Sequence, residues 1–300
     1  MSGYAPHAGY VAPARRSSAL FYTLIGFLAV EFFYRIGRDA LDFFAFNLAP
    51  DRIGQLLAPD TAAGALYDLF AFGVLGLAVI FVVWMTHHRG PRSLLGDAQV
   101  WKHDMLRATV GGALLYLVLE IVVPWWTPSE ATLNPLGPWL LYLPWALVAL
   151  LIQTGAEEIF YRGYLQQQIA ARFSSPLVWL TVPNIAFASV HWYNGDGYAD
   201  SVQYVIWAFL FGLAASDLTA RTGSLGAAIG FHMANNIFAF LVVEEVGAPD
   251  SGLALFLVSP LPDTGELVLP DPSPVVTLGF GIDLAILALA WLAVRVAVRR

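Results

Sequence analysis

Eight stretches of this chain are apolar for about twenty residues each, and that constrains its fold more than any other feature. They run roughly over 19–37, 66–86, 107–126, 138–156, 176–193, 202–219, 224–243 and 275–297. As a helix, such a stretch crosses ~30 Å of hydrocarbon with every backbone hydrogen bond satisfied internally. Composition agrees. Hydrophobic residues make up 58% of the chain and charged ones only 12%, half of the ~25% usual in soluble domains. The expectation is an all-α, polytopic transmembrane helix bundle of about eight spans.

Basic residues predict the orientation. With the N-terminus inside, Arg15, Arg16, Arg89, Arg92, Lys102, Arg107, Arg162, Arg172, Arg221, Arg295, Arg299 and Arg300 fall on the cytoplasmic side, twelve of the 15. Both termini are then cytoplasmic, and 87–104 is the main cytoplasmic loop. The proline-rich 244–274 segment has six acids and no base, so it reads as an external loop. Residues 1–18 read as a flexible cytoplasmic tail and 19–300 as the membrane domain. Arg15 and Arg16 precede an apolar run, as in a signal peptide, but no small-residue cleavage site follows, so a retained first span is expected. All basic residues but Lys102 are arginine, the bias of a GC-rich genome, and the expected setting is a multi-pass protein of a prokaryotic cell membrane. Net charge is −7, which offers no footprint for nucleic acid, and the absence of cysteine excludes thiol nucleophiles, thiolate metal sites and disulfides. The expected partners are membrane lipids and a membrane-associated peptide or protein.

Three short stretches put polar groups where a bilayer resists them. In "GAEEIFYRGYL", Glu158 and Arg162 are four residues apart and meet on one helix face. Glu157 is turned about 100° away, without Arg162 as a partner. The arrangement of lowest energy keeps Glu158 ionised against Arg162 and leaves Glu157 poised as a general base. In "NIAFASVHW", Phe187 and His191 share a face, and Pro183 and Asn184 before them are placed to bend the helix and open a polar cavity. In "HMANN", His232 and Asn236 are one turn apart, with Asn235 on roughly the same side. Taken singly, these are an interfacial ion pair, a structural histidine and interhelical hydrogen bonds. Together they supply a base, a histidine to share a water and donors suited to an oxyanion, the parts of amide hydrolysis by water.

"EEIFYR", "FASVH" and "HMANN", in that order on separate spans, resemble the EExxxR, FxxxH and HxxxN motifs of the CPBP family. This is the CAAX-protease and bacteriocin-processing group of intramembrane proteases, also called Abi. The resemblance covers about 138–243. It implies that Glu157 activates water with His191 as partner and that His232 and Asn236 hold the oxyanion. It also implies that Glu158 and Arg162 brace the helix and that Phe187 packs beneath His191. Members are commonly labelled metalloproteases. Glu157, His191 and His232 are therefore candidate Zn²⁺ ligands, alongside a metal-free glutamate mechanism.

Other chemistries fit less well. No H-E-x-x-H stretch is present. The rival readings are a non-catalytic membrane scaffold or immunity protein and a proton-coupled transporter. Elsewhere, Glu31 and Arg35 are spaced as a self-neutralising pair, Asp217 is expected to be solvated at a span end, and Trp125, Trp126 and Trp139 are placed for an aromatic belt.

Overall fold

The computed structural model describes residues 3–122, 131–195, 197–249, 251–259 and 274–299. Trp125, Trp126, Asp250, Asp263, Glu266, Asp271 and Arg300 lie outside the described residues. The chain is an all-α bundle. Among the described residues, six helical segments are long and apolar enough to cross a membrane: Leu20–Leu48, Ala62–His87, Ala98–Val122, Leu136–Arg172, Tyr198–Thr222 and Leu278–Val298.

The other two expected spans are shorter. Pro176–Ser189 has 14 residues before it tightens into a 3₁₀ turn at Val190–Asn194, and Gly226–Leu241 has 16. At 1.5 Å per residue they reach about 21 and 24 Å, less than the hydrocarbon thickness. The Gly226–Leu241 helix tolerates this because protein surrounds it. Most of its side chains are buried, and the Ala98–Val122 helix packs against it more extensively than any other pair of helices in the bundle.

Small residues make that contact possible. A Cβ at Gly226 would meet the Trp101 carbonyl, and one at Gly230 would meet the Met105 carbonyl and lie 2.6 Å from Ala108 Cβ. A Cβ at Gly112 would lie 2.7 Å from Ala234 Cβ. Backbones thus approach closely at successive turns, as small-residue interfaces allow. The order of contacts, 101 with 226, 108 with 230 and 112 with 234, makes the two helices parallel.

Several expectations are corrected. The amino-terminal residues are not a loose tail. Ala5–Val11 is helical, Ala12–Ser17 continues as a 3₁₀ helix, and His7, Tyr10, Val11 and Ala14 are buried on one face. Asp217 is not solvated. It accepts from the Tyr4 hydroxyl (2.7 Å), Arg221 Nε (2.8 Å) and Trp291 Nε1 (3.0 Å), tying the amino-terminal segment and last helix to Tyr198–Thr222. The 87–104 segment, expected as a loop, contains the short helix Arg92–Leu95. His88 caps the preceding helix in the left-handed region (φ 53°), and Arg89 and Leu94 turn inward.

The presumed external loop also has structure. Val243–Glu245 and Phe256–Val258 pair in parallel, and Ala131–Leu133 adds to the latter antiparallel, giving one small sheet in the order 131–133, 256–258, 243–245. Trp139 donates its indole N–H to the Leu253 carbonyl at 3.1 Å, a specific partner beyond an aromatic belt. Glu31 and Arg35 form no ion pair among the described residues; Arg38, one turn on, instead pairs with Asp42 and Asp68.

Candidate active site

The Leu136–Glu158 helix changes winding immediately after the two glutamates. Ile159–Gln166 forms a π-helix, and Gln167–Arg172 returns to α. Such segments are rare and recur at functional sites because the extra residue per turn re-aims side chains. Here the widened turn holds Arg162 while keeping it beside Glu158. Its Nη1 donates to Glu158 Oε1 at 3.0 Å, and both side chains are 0% exposed. Its Nη2 donates to Asn184 Oδ1 at 3.1 Å, and its guanidinium lies 4.5 Å from the centroid of Phe187. Asn184 is held in turn by donating to Ser216 Oγ at 2.8 Å. A buried cation with planar, multi-point partners is thereby fixed from three helices.

His232 arrives from the Gly226–Leu241 helix and touches the same carboxylate, its Nδ1–H donating to Glu158 Oε1 at 2.9 Å. Because an ionised carboxylate only accepts, His232 Nδ1 carries a proton. Its Nε2 lies 3.6 Å from Glu157 Oε2. That gap is too long for a direct hydrogen bond and suits two groups sharing one polar hydrogen carrier at their edge. Glu157 keeps 14% of its side chain exposed while Glu158 keeps none, so the two adjacent acids have different surroundings.

His191 follows Phe187 by one turn. Its Nδ1–H donates to the Phe187 carbonyl at 2.8 Å, and its ring lies 4.6 Å from the Phe187 ring. Phe187 in turn lies 6.3 Å from the His232 ring, and Phe211 packs 4.9 Å from the same imidazole. His191 is within electrostatic reach of Glu157, His232 and Arg162. Asn236 is buried one turn beyond His232. Its Nδ2 donates to Gln153 Oε1 at 2.8 Å, and its Oδ1 accepts from Asn235 Nδ2 at 3.1 Å.

The structure therefore brings Glu157, Glu158, Arg162 and His232 into direct apposition. It sets His191 against the Phe187 ring and Asn236 beside Gln153. Glu157 Oε2 approaches His232 Nε2 at 3.6 Å, and His191 lies within electrostatic reach of both residues. Sequence reading undervalued Asn184, which completes the arginine's shell, and missed Gln153, one turn before Glu157. The signals were present: Gln153 and Glu157 are four residues apart, and Asn184 lies three before Phe187 on the same helix.

The same geometry bears on the zinc set of Glu157, His191 and His232. Among the described residues no group of three or more histidine, aspartate or glutamate side chains is placed to hold a metal ion. Glu158 is occupied by Arg162 and His232, and the Phe187 ring packs against both His191 and His232. The residues as arranged do not fit a three-ligand zinc site.

Comparison with known proteins adds an independent finding. The model of the type II CAAX prenyl endopeptidase Rce1-like family matches residues 138–238, which contain every candidate site residue named above. Over 122 residues the chain is 33% identical to the uncharacterized protein YyaK of Bacillus subtilis (strain 168), a match covering 40% of each chain. The chain thus spans well under two thirds of that relative's length. No solved structure matches.

Proposed function

We propose, taking as premise that residues 138–238 are an Rce1-like segment, that this chain is an intramembrane endopeptidase. It hydrolyses a peptide bond of a membrane-associated peptide or protein with a water activated by Glu157. The observation that carries the reading is the convergence of two adjacent glutamates on one imidazole from a different helix. Glu158 Oε1 is 2.9 Å from His232 Nδ1, and Glu157 Oε2 is 3.6 Å from His232 Nε2. A scaffold needs only the first contact; the second leaves a carboxylate and an imidazole nitrogen facing the same small space.

In this mechanism Glu158, neutralised by Arg162, holds His232 in its Nδ1–H form. Water lies against Glu157 Oε2 and His232 Nε2. Glu157 takes one water proton as the oxygen attacks the scissile carbonyl carbon. The free N–H of Asn236 stabilises the resulting oxyanion, while His232 Nε2 accepts the hydrogen bond of the attacking water's remaining O–H. The proton on Glu157 then passes to the leaving amine nitrogen as the C–N bond breaks, so no acyl-enzyme forms. His191, its Nδ1–H committed to the Phe187 carbonyl, presents Nε2 as a further acceptor at the edge of the site. Eight membrane segments with both termini cytoplasmic, in a prokaryotic cell membrane, complete the proposal. The parallel Ala98–Val122 and Gly226–Leu241 helices support it, because both then begin on the cytoplasmic side.

Glu157→Gln tests the reading. The substitution is nearly isosteric, and Glu157 bears no buried ion pair with an arginine. Purified protein should keep its fold and thermal stability and lose cleavage of quenched-fluorescence peptides by a factor of at least ~10². Cleavage at the parent rate by the variant would overturn the general-base role.

A further inference from the structure

The Ala98–Val122 helix lies outside the matched segment, yet one of its side chains connects to the site. Its glycine- and alanine-lined contact with Gly226–Leu241 fixes the register turn by turn. One turn beyond the Gly112–Ala234 contact, that register sets Tyr116 against the Asn235–Phe238 turn. The Tyr116 ring stacks on Phe238 at 5.4 Å and 14°, and its hydroxyl donates to Asn235 Oδ1 at 2.9 Å. Asn235 Nδ2 donates to Asn236 Oδ1 at 3.1 Å, and Asn236 Nδ2 donates to Gln153 Oε1 at 2.8 Å. Tyr116 is buried, and so are Asn236 and Gln153.

The relay has a direction. It begins at a buried hydroxyl whose proton needs an acceptor, and it ends at an amide oxygen. Each link fixes which end of the next amide is oxygen and which is nitrogen. Asn236 is thereby locked with its oxygen covered by Asn235 and one N–H covered by Gln153. Its second N–H is left for a ligand, so the side chain offers a donor and not an acceptor. An oxyanion requires that polarity, and an amide free to flip would present the wrong end part of the time.

We propose that Tyr116, Asn235 and Gln153 are positioning residues that set the amide orientation of Asn236 for oxyanion stabilisation, with Tyr116 supplying the direction from outside the matched segment. This rests on the endopeptidase reading for its consequence in turnover, but not for the orientation itself.

Tyr116→Phe removes one hydroxyl and keeps the ring stacked on Phe238. With the best-cleaved member of a quenched peptide library, kcat should fall roughly tenfold, the effect of one lost buried hydrogen bond, while KM stays within about twofold. In an Asn236→Ala background the same substitution should have no further effect on kcat, because it acts only through that side chain. An equal loss in both backgrounds, an unchanged kcat or a change confined to KM would overturn the proposal. A second measurement needs no turnover. In protein carrying ¹⁵N-labelled asparagine, the side-chain amide of Asn236 should give two well-separated, exchange-protected proton signals. Tyr116→Phe and Asn235→Ala should merge or broaden them. Unaltered signals in both variants would refute the relay even if every form is active, whereas altered signals in a protein that cleaves no peptide would sink only the endopeptidase reading.

Discussion

Replacing Glu158 with glutamine removes the charge from the most deeply held carboxylate and leaves its neighbours in place. Arg162 is then a fully buried guanidinium with no anion in hydrogen-bond contact; its remaining hydrogen-bond partner is the neutral Asn184 amide at 3.1 Å, and Glu157 acts on it only through space. Breaking a buried pair by deleting one partner costs about 3–5 kcal/mol. The lower end applies, because the glutamine oxygen can still accept one of the two hydrogen bonds that reach Glu158 Oε1, from Arg162 and from His232. Glu158 Oε2 has no hydrogen-bond partner among the described residues, so losing the charge there forfeits no bond. The expected loss is about 3 kcal/mol in reversible unfolding by sodium dodecyl sulfate from mixed micelles. The double variant Glu158→Gln/Arg162→Met removes both charges, and uncharged replacements of buried pairs are often neutral. It should recover about 2 kcal/mol, the remainder reflecting lost hydrogen bonds to Asn184. Both proteins should be inactive, so stability and not turnover is the readout. The electrostatic reasoning fails if Glu158→Gln unfolds within about 0.5 kcal/mol of the parent, or if the double variant is no more stable than the single one.

Two further outcomes follow from other parts of the molecule. Burial holds the His7 imidazole down from its ordinary value of 6.5 to about 4. Docking of the amino-terminal segment is therefore at full strength above pH ~6.5 and weakens as pH falls toward 4, by at most about 3 kcal/mol. The chain has no cysteine, so a spin label on Ala8→Cys reports this cleanly; mobility should rise on acidification, and His7→Gln should abolish that pH response. Gly230→Ala forces a methyl group against the Met105 carbonyl and Ala108, which should cost about 1–3 kcal/mol in the same unfolding assay, and a neutral result would disprove the close helix approach.

The helical class was legible because hydrocarbon length and backbone satisfaction leave few alternatives for twenty apolar residues. The Glu158–Arg162 pair was legible because four-residue spacing on a helix is enough when both groups are buried. The same spacing misled at Glu31 and Arg35, where spacing permits a contact but neighbouring acids decide; the next arginine, Arg38, turns to Asp42 and Asp68. His232 reaching both glutamates was not readable, since it depends on how separate helices pack around a winding change that no residue pattern announces. The amino-terminal segment was misjudged on polarity alone. Tyr4, His7, Tyr10, Val11 and Ala14 recur at three- and four-residue steps, an amphipathic stripe in a stretch too polar to be taken for core.

The winding change at Ile159–Gln166 also acts as a hidden length standard. An ordinary α-helix would cover that path with one residue fewer, so a one-codon deletion there would leave the rod continuous. Everything beyond it would stay in register, and Gln167 would still donate to the Tyr10 and Ser93 carbonyls at 2.8 Å. Only the side chains within the widened turn would be re-aimed. A deletion between Glu158 and Arg162 would therefore displace the guanidinium, so the inner latch would hold while the carboxylates lost their brace.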